Sequence, residues 1–200
     1  MLGVAAASGL GALDDLTGAT DVKGLRGHLT ALRHGQVTTG AVKLFGLAAA
    51  GLVAGALARK GRGGVLDATL AGGVVAGSAN LANLFDLRPG RASKVFLGAS
   101  APTLLVGGAF GDVVSAPVGA TGALLGDDLA ERSMLGDTGA NALGAAWGVG
   151  AAASMTRSQL ATTLAGIVAL TVLSERVSFS EVIEQTPPLR YLDGLGRPAS

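Results

Sequence analysis

Residues 68–85 read ATLAGGVVAGSANLANLF, and the run closes on Asp86 in the loop DLRPGRA. At ~1.5 Å of rise per residue, a helix of this length nearly crosses a ~30 Å hydrocarbon layer. Gly73 and Gly77 sit four apart in it, a spacing that lets helix backbones approach closely in lipid but weakens a helix in water. Asn80 and Asn83 lie one turn apart near its far end, where unpaired amides are expensive. The run therefore reads as a membrane span with its polar groups gathered at one edge.

Six further apolar stretches surround it: 1–13 and 44–58 before it, then 95–111, 113–126, 139–155 and 158–173 after it. Most fall short of the ~20 residues of a perpendicular span, a deficit that flanking residues and local bilayer thinning make up. Stretches 95–111 and 113–126 carry Pro102 and Pro117 and are parted by Asp112, which predicts a helical hairpin. Small residues four apart recur at Gly51/Gly55, Gly122/Gly126 and Gly144/Gly148, a pattern of close helix packing. The expected fold is an all-α polytopic membrane helical bundle of about six to seven spans. Residues 1–200 form a single membrane domain in this reading, with 1–13 a partial first span and 174–200 a cytoplasmic tail.

Composition points the same way. Of the 200 residues, 49% are hydrophobic and only 14% charged, too few charges to solvate the outside of a soluble globule. The mean hydropathy is +0.51. A net charge of +1, distributed in patches, excludes a nucleic-acid partner. With no cysteine there are no disulfides, thiolate metal sites or cysteine nucleophiles. The apolar start has no basic residue before Lys23, so no signal peptide is expected and the spans themselves direct insertion.

Three polar clusters interrupt the apolar chain: Asp14-Asp15 in GALDDLTG, Asn83 to Asp86 in NLFDLRPGRA, and Asp137 in MLGDTGANALG. Each sits where an apolar stretch meets a loop, so carboxylates that are costly in hydrocarbon are held at its edge, within reach of a metal ion or a phosphate. Two stretches separate each cluster from the next, and two more lead to the tail, so all three clusters and the tail share one side. That side also carries Lys23, Arg26, Arg33, Lys43, Arg88, Arg91, Lys94, Arg132, Arg176, Arg190 and Arg197, against Arg59, Lys60, Arg62 and Arg157 on the other. Positive-inside bias makes the cluster side cytoplasmic, in a multi-pass protein of the plasma membrane.

The paired aspartates after a span, the Asn-Leu-x-Asp loop and the Gly-Asp-x-Gly loop together resemble the polyprenyl-phosphate phosphoglycosyl transferases (glycosyltransferase family 4). That family includes phospho-N-acetylmuramoyl-pentapeptide transferase and the UDP-N-acetylglucosamine-1-phosphate transferases. The resemblance covers nearly the whole chain in order and spacing. Residues 24–43, GLRGHLTALRHGQVTTGAVK, and the tail SERVSFSEVIEQTPPLRYLDGLGR at 174–197 look like a divergent, actinobacterial-type branch.

The resemblance implies a magnesium-dependent transfer of a phosphosugar from a UDP-sugar to polyprenyl phosphate, releasing UMP, in cell-envelope glycopolymer synthesis. It implies catalytic roles for Asp14, Asp15 and Asp137, with Asp137 and Asp15 as Mg2+ ligands. Lys43 and Lys23 would neutralise phosphate oxygens, and Asn80, Asn83 and Asp86 would lie on the nucleotide side. Phosphoryl transfer rests mainly on positioning and charge neutralisation, so acidic metal ligands and a few cations suffice. The partners implied are the membrane, the lipid phosphate and the UDP-sugar, while monomer and homodimer both remain open.

The chain departs from the family pattern in three places. The tail from Ser174 has no histidine, so nucleotide-sugar contacts there are expected from Arg176, Arg190 and Arg197. Pro89 stands where a further aspartate is usual. The family's upstream helices, roughly three, are expected to be missing before Asp14. Two other functions fit the sequence: a noncatalytic descendant that binds polyprenyl phosphate or envelope-synthesis partners, and a small transporter using Asp67, Asn80 and Asn83 as a polar path. Asp127, Asp128 and Glu131 are expected in a solvated charged loop, His28 and His34 at the surface, and Trp147 in packing or as an interfacial anchor.

Overall fold

The computed structural model describes residues 2–17 and 24–198. All elements among them are helices: α1 (Leu2–Thr17), α2 (Gly24–Arg33), α3 (Thr39–Ala58), α4 (Val65–Phe85), α5 (Arg91–Val106), α6 (Ala109–Leu129), α7 (Gly136–Ser154), α8 (Arg157–Ser174), α9 (Phe179–Gln185) and α10 (Pro187–Gly194). Each of the seven apolar stretches forms a helix. Three of these, α3, α4 and α6, at 20, 21 and 21 residues, are long and apolar enough to cross a membrane. A fourth candidate arises if α8 and α9, bent by 90° at their junction, count as one broken span. Large apolar side chains such as Leu52, Val53 and Leu57 on α3 and Val168 and Val172 on α8 face outward, as lipid contact requires.

Helix ends follow local chemistry. Thr38 caps α3 by accepting from the Ala41 N–H at 3.2 Å, and Thr156 with Gln159 forms a capping box at the start of α8. The α5–α6 hairpin turns at Gly107 and Gly108, whose φ values of 74° and 84° suit glycine. The sequence reading put this break at Asp112; instead Asp112 lies in the first turn of α6, where its charge suits the helix dipole.

Helix α4 is the central element, packed against α3, α7 and α8, while α1 lies against α3 and α7. The small-residue pairs explain why. A Cβ placed on Gly51 or Gly55 would collide with the α4 backbone at Gly72, and one on Gly144 or Gly148 would collide with α4 at Ser78 and Val75. Gly73 and Gly77 receive Leu164 and Ile167 of α8. Gly122 and Gly126 face open space, so this fourth pair serves no helix contact among the described residues. The core that results is built of small side chains, with Ala71, Val74, Val75, Ala145, Ala152 and Leu160 all buried.

This packing gives the bundle two chemically distinct ends. At one, Arg59 of α3, Asp67 of α4 and Arg157 of α8 form a closed ionic cluster, with Asp67 Oδ1 receiving Arg59 at 3.4 Å and Arg157 at 3.1 Å. Arg157 also reaches Asp67 Oδ2 at 2.5 Å. Arg59 donates further to the Met155 carbonyl at 3.0 Å, closing the C-terminus of α7. Asp67 is therefore tied to two guanidiniums, at the opposite end of α4 from Asn80 and Asn83. The other end carries the three sequence motifs.

Candidate functional site at the acidic end of the bundle

Close packing of α1 on α7 and of α3 on α4 brings residues distant in sequence to one place. Gly11 of α1 lies against the Asp137–Thr138 backbone, which sets Asp14 and Asp15, one turn later, beside the start of α7. Both aspartates lie inside the last turn of α1 rather than in a loop after it. Lys43, buried in the first turns of α3, extends its ammonium between the carboxylates of α1 and α7. It donates to Asp14 Oδ2 at 3.2 Å and makes a shorter contact to Asp137 Oδ2.

Asp15 has a different job. Its Oδ1 accepts the Asp137 N–H at 3.1 Å, and its Oδ2 accepts the Thr138 N–H at 3.0 Å and the Thr138 hydroxyl at 2.6 Å. The residue preceding α7, Leu135, offers no side-chain cap. Asp15 therefore supplies from α1 the cap that α7 lacks, an anion at a helix N-terminus. Burial alone would raise its pKa, but the bonds from Thr138 and Asp137 outweigh it and hold the carboxyl below its ordinary value.

The remaining acids are under opposing forces. Burial pushes Asp137 upward, reinforced by its hydrogen bond with Asp14, while Lys43 pulls the other way; the net shift is upward. In Asp14 the effect of burial is overcome by hydrogen bonds from Asp137 and Lys43, so its carboxyl titrates lower than usual. Asp86 ends α4, and one of its oxygens, Oδ1, is buried without a hydrogen-bond partner. Burial, then the negative charge of Asp128, raise it to about 6, with Asp137 and Asp15 adding to the rise against a hydrogen bond from Gly136.

Asn80 and Asn83 are half-buried on the last turns of α4, and neither side chain makes a hydrogen bond among the described residues. Lys23 lies outside the described residues. Asp128 corrects the expectation of a solvated loop: it is buried at the end of α6 and accepts the Gly90 N–H at 3.0 Å and the Ser93 hydroxyl at 2.6 Å. The signal was available in the sequence. Val114, Thr121 and Asp128, seven apart, form one buried stripe of α6, which leaves Asp127 outside, paired with Arg132.

The tail also differs from a set of free cations. Arg91, buried at the start of α5, forks onto both oxygens of Asp193 at 2.7 and 3.1 Å and donates to Ser180 at 2.8 Å. Arg197 donates to the Pro89 carbonyl at 2.9 Å, and Phe85 stacks on Phe179 with centroids 5.3 Å apart. Helices α9 and α10 are thereby strapped across the loop that follows Asp86. Arg197 is committed to this strap, whereas Arg176 and Arg190 stand exposed.

An apolar groove of about 190 Å³ runs between α4, α5, α7 and α8. Phe85 and Ala92 line it near the acidic end, and Trp147 and Ile167 lie deeper. Trp147 meets Phe110 edge-on at 5.5 Å, which makes it a packing residue.

Among the described residues no three acidic or histidine side chains are grouped to hold a metal ion. Asp14 and Asp137, which meet at Lys43, offer carboxylate oxygens of the kind a hard divalent cation takes. Comparison of the chain with protein-family models, with curated proteins and with solved structures gives no match.

Proposed function

We propose that the chain is a phosphoglycosyl transferase of the polyprenyl-phosphate type. In this reading the acidic end faces the cytoplasm, the bundle crosses the plasma membrane six to seven times, and the product enters cell-envelope glycopolymer synthesis. The observation that carries the reading is the meeting of Asp14, Lys43 and Asp137, from three helices, in one ionic cluster. These are residues that the motif resemblance singled out from places far apart in the chain.

The chemistry asked of these residues is modest. A lipid phosphate has a second pKa near ~6 and is largely deprotonated at neutral pH, so its oxygen needs little help from a base. That oxygen attacks the sugar-bearing phosphorus of the UDP-sugar; a new P–O bond forms as the bond to the UMP oxygen breaks, and UMP leaves with the electron pair. Asp137 and Asp14 would hold Mg2+, which would supply charge neutralisation for the pyrophosphate. Lys43 neutralises phosphate oxygens, and Asp15 fixes the start of α7 so that Asp137 stays in place. The apolar groove beginning at Phe85 suits an isoprenoid tail, with the phosphate held beside Asp86.

UMP release from UDP-sugar by the full chain in lipid nanodiscs, with polyprenyl phosphate and Mg2+, tests the reading. Turnover should stop in excess chelator and fall by orders of magnitude in Asp137→Asn, which keeps the side chain's size but loses its charge. Turnover that persists with chelator would overturn the metal assignment. Lipid-phosphate binding without any turnover would favour the noncatalytic alternative.

A further inference from the structure

The place where Asp14 and Asp137 come together is already filled by a positive charge from the protein itself. Lys43 is buried, and its ammonium bridges one oxygen of each carboxylate. A divalent cation seated on the same two oxygens would lie close to the ammonium, and like charges repel strongly at that range. We infer that Lys43 is a built-in competitor for the divalent cation: the two bind Asp14 and Asp137 in exclusive states, and cation entry displaces the ammonium. This inference rests on the proposed metal role of Asp14 and Asp137 and adds to it a coupling between metal and substrate.

Two further features shape that coupling. Asp86, with its buried unpartnered Oδ1, contributes negative charge near Asp137 that Lys43 alone leaves unbalanced. A divalent ion adds one more positive charge than the ammonium it replaces and so matches the acid cluster better. Asn141 lies one turn beneath Asp137 on the same face of α7, fully buried, with neither its amide nitrogen nor its oxygen hydrogen-bonded. Buried, unpartnered polar atoms thus lie one turn along α7 from Asp137. Once displaced, Lys43 is available to an incoming phosphate, so cation loading prepares the site for its anionic substrate. The lysine's two roles follow in sequence, first as placeholder, then as phosphate contact.

The test measures Mn2+ binding by electron paramagnetic resonance on the full chain in nanodiscs, without substrate. Lys43→Gln should bind Mn2+ on the order of tenfold more tightly than wild type, since it removes the competing charge. Lys43→Arg, which keeps the charge, should stay close to wild type or weaker, and Asp137→Asn should lose most binding. Equal or weaker binding by a folded Lys43→Gln would overturn the competition while leaving the metal site intact. Absence of Mn2+ binding in every protein would overturn both the metal site and the competition. A second measurement uses wild type alone and so is independent of variant folding: acetylation of Lys43 by acetic anhydride, read by peptide mass spectrometry. Saturating Mg2+ should increase Lys43 labelling several-fold; unchanged or reduced labelling would overturn the displacement.

Discussion

The two ends of the bundle handle buried charge in opposite ways. At one, the Asp67 carboxylate meets the guanidiniums of Arg59 and Arg157, the guanidinium of Arg59 turns its remaining capacity to the Met155 carbonyl, and Arg62 reaches the Ala153 carbonyl at 2.7 Å. At the other, Asp14 and Asp137 share the ammonium of Lys43, Asp15 caps α7, and Asp86 keeps a buried oxygen without a partner. The first cluster pairs its carboxylate with two guanidiniums and pins helix ends together, with the buried Arg59 Nε left unbonded. In the proposed function the charge of the second end is balanced when a cation binds. Under the proposed function the first end holds the fold and the second carries the chemistry.

The comparison can be broken most severely at the closed end. Asp67→Asn leaves Arg59 buried with its main counter-charge gone and frees Arg157, so it should produce the largest loss of folded protein among the acid substitutions. Size-exclusion chromatography and thermal unfolding of the detergent-solubilised chain check this, and a variant as stable as wild type would remove the structural role of this end.

A smaller but clear loss is expected from Asp128→Ala. It strips the acceptor from the Gly90 N–H and the buried Ser93 hydroxyl, at ~1–3 kcal/mol for each group left unpaired. Asp128 thus behaves like the closed end although it sits in the acidic one, and thermal unfolding should rank Asp128→Ala below Asp67→Asn and above Asp137→Asn in damage.

The smallest effect carries the opposite sign. Asp86 titrates at about 6 in the fold, above its ordinary value of 3.8. Between those pH values the folded chain holds more protons than the unfolded one, so this residue's unfavourable contribution is absent below about pH 4 and grows as pH rises through 6. Asp86→Asn should therefore raise the melting temperature by a few degrees at pH 8 and leave it unchanged at pH 4. A destabilising effect at pH 8 would mean that Asp86 is satisfied in the fold and is no part of an unbalanced site.

Much of this architecture is legible in the chain, and what is not has identifiable causes. Apolar runs set all seven long helices because their length and glycine spacing leave little choice in lipid, and the positions of Asp14, Asp86 and Asp137 at run edges set which acids meet. Boundaries shifted at Asp14-Asp15, which fall inside α1, and before Lys43, where the Thr38 cap starts α3 ahead of its apolar run. The strap formed by α9 and α10 was hidden because its contacts pair Arg91 with Asp193, about a hundred residues apart, and no local pattern announces such a pairing. Asp15, expected to share the metal with Asp137, also caps α7, a contact not legible in the sequence because a helix start without its own cap takes one from a distant neighbour. The number of spans stays with composition alone for α1, α5 and α7, which are shorter or less apolar than α3, α4 and α6.

The division of labour between the two ends is tested most directly by measuring Asp67→Asn and Asp137→Asn side by side, each for thermal stability and for Mg2+-dependent UMP release. The account predicts a crossed result: Asp67→Asn loses the fold, while Asp137→Asn unfolds close to the wild-type temperature and loses transfer by orders of magnitude. If Asp137→Asn instead unfolds as readily as Asp67→Asn, or transfers phosphosugar at the wild-type rate, the acidic end is not the site of the reaction.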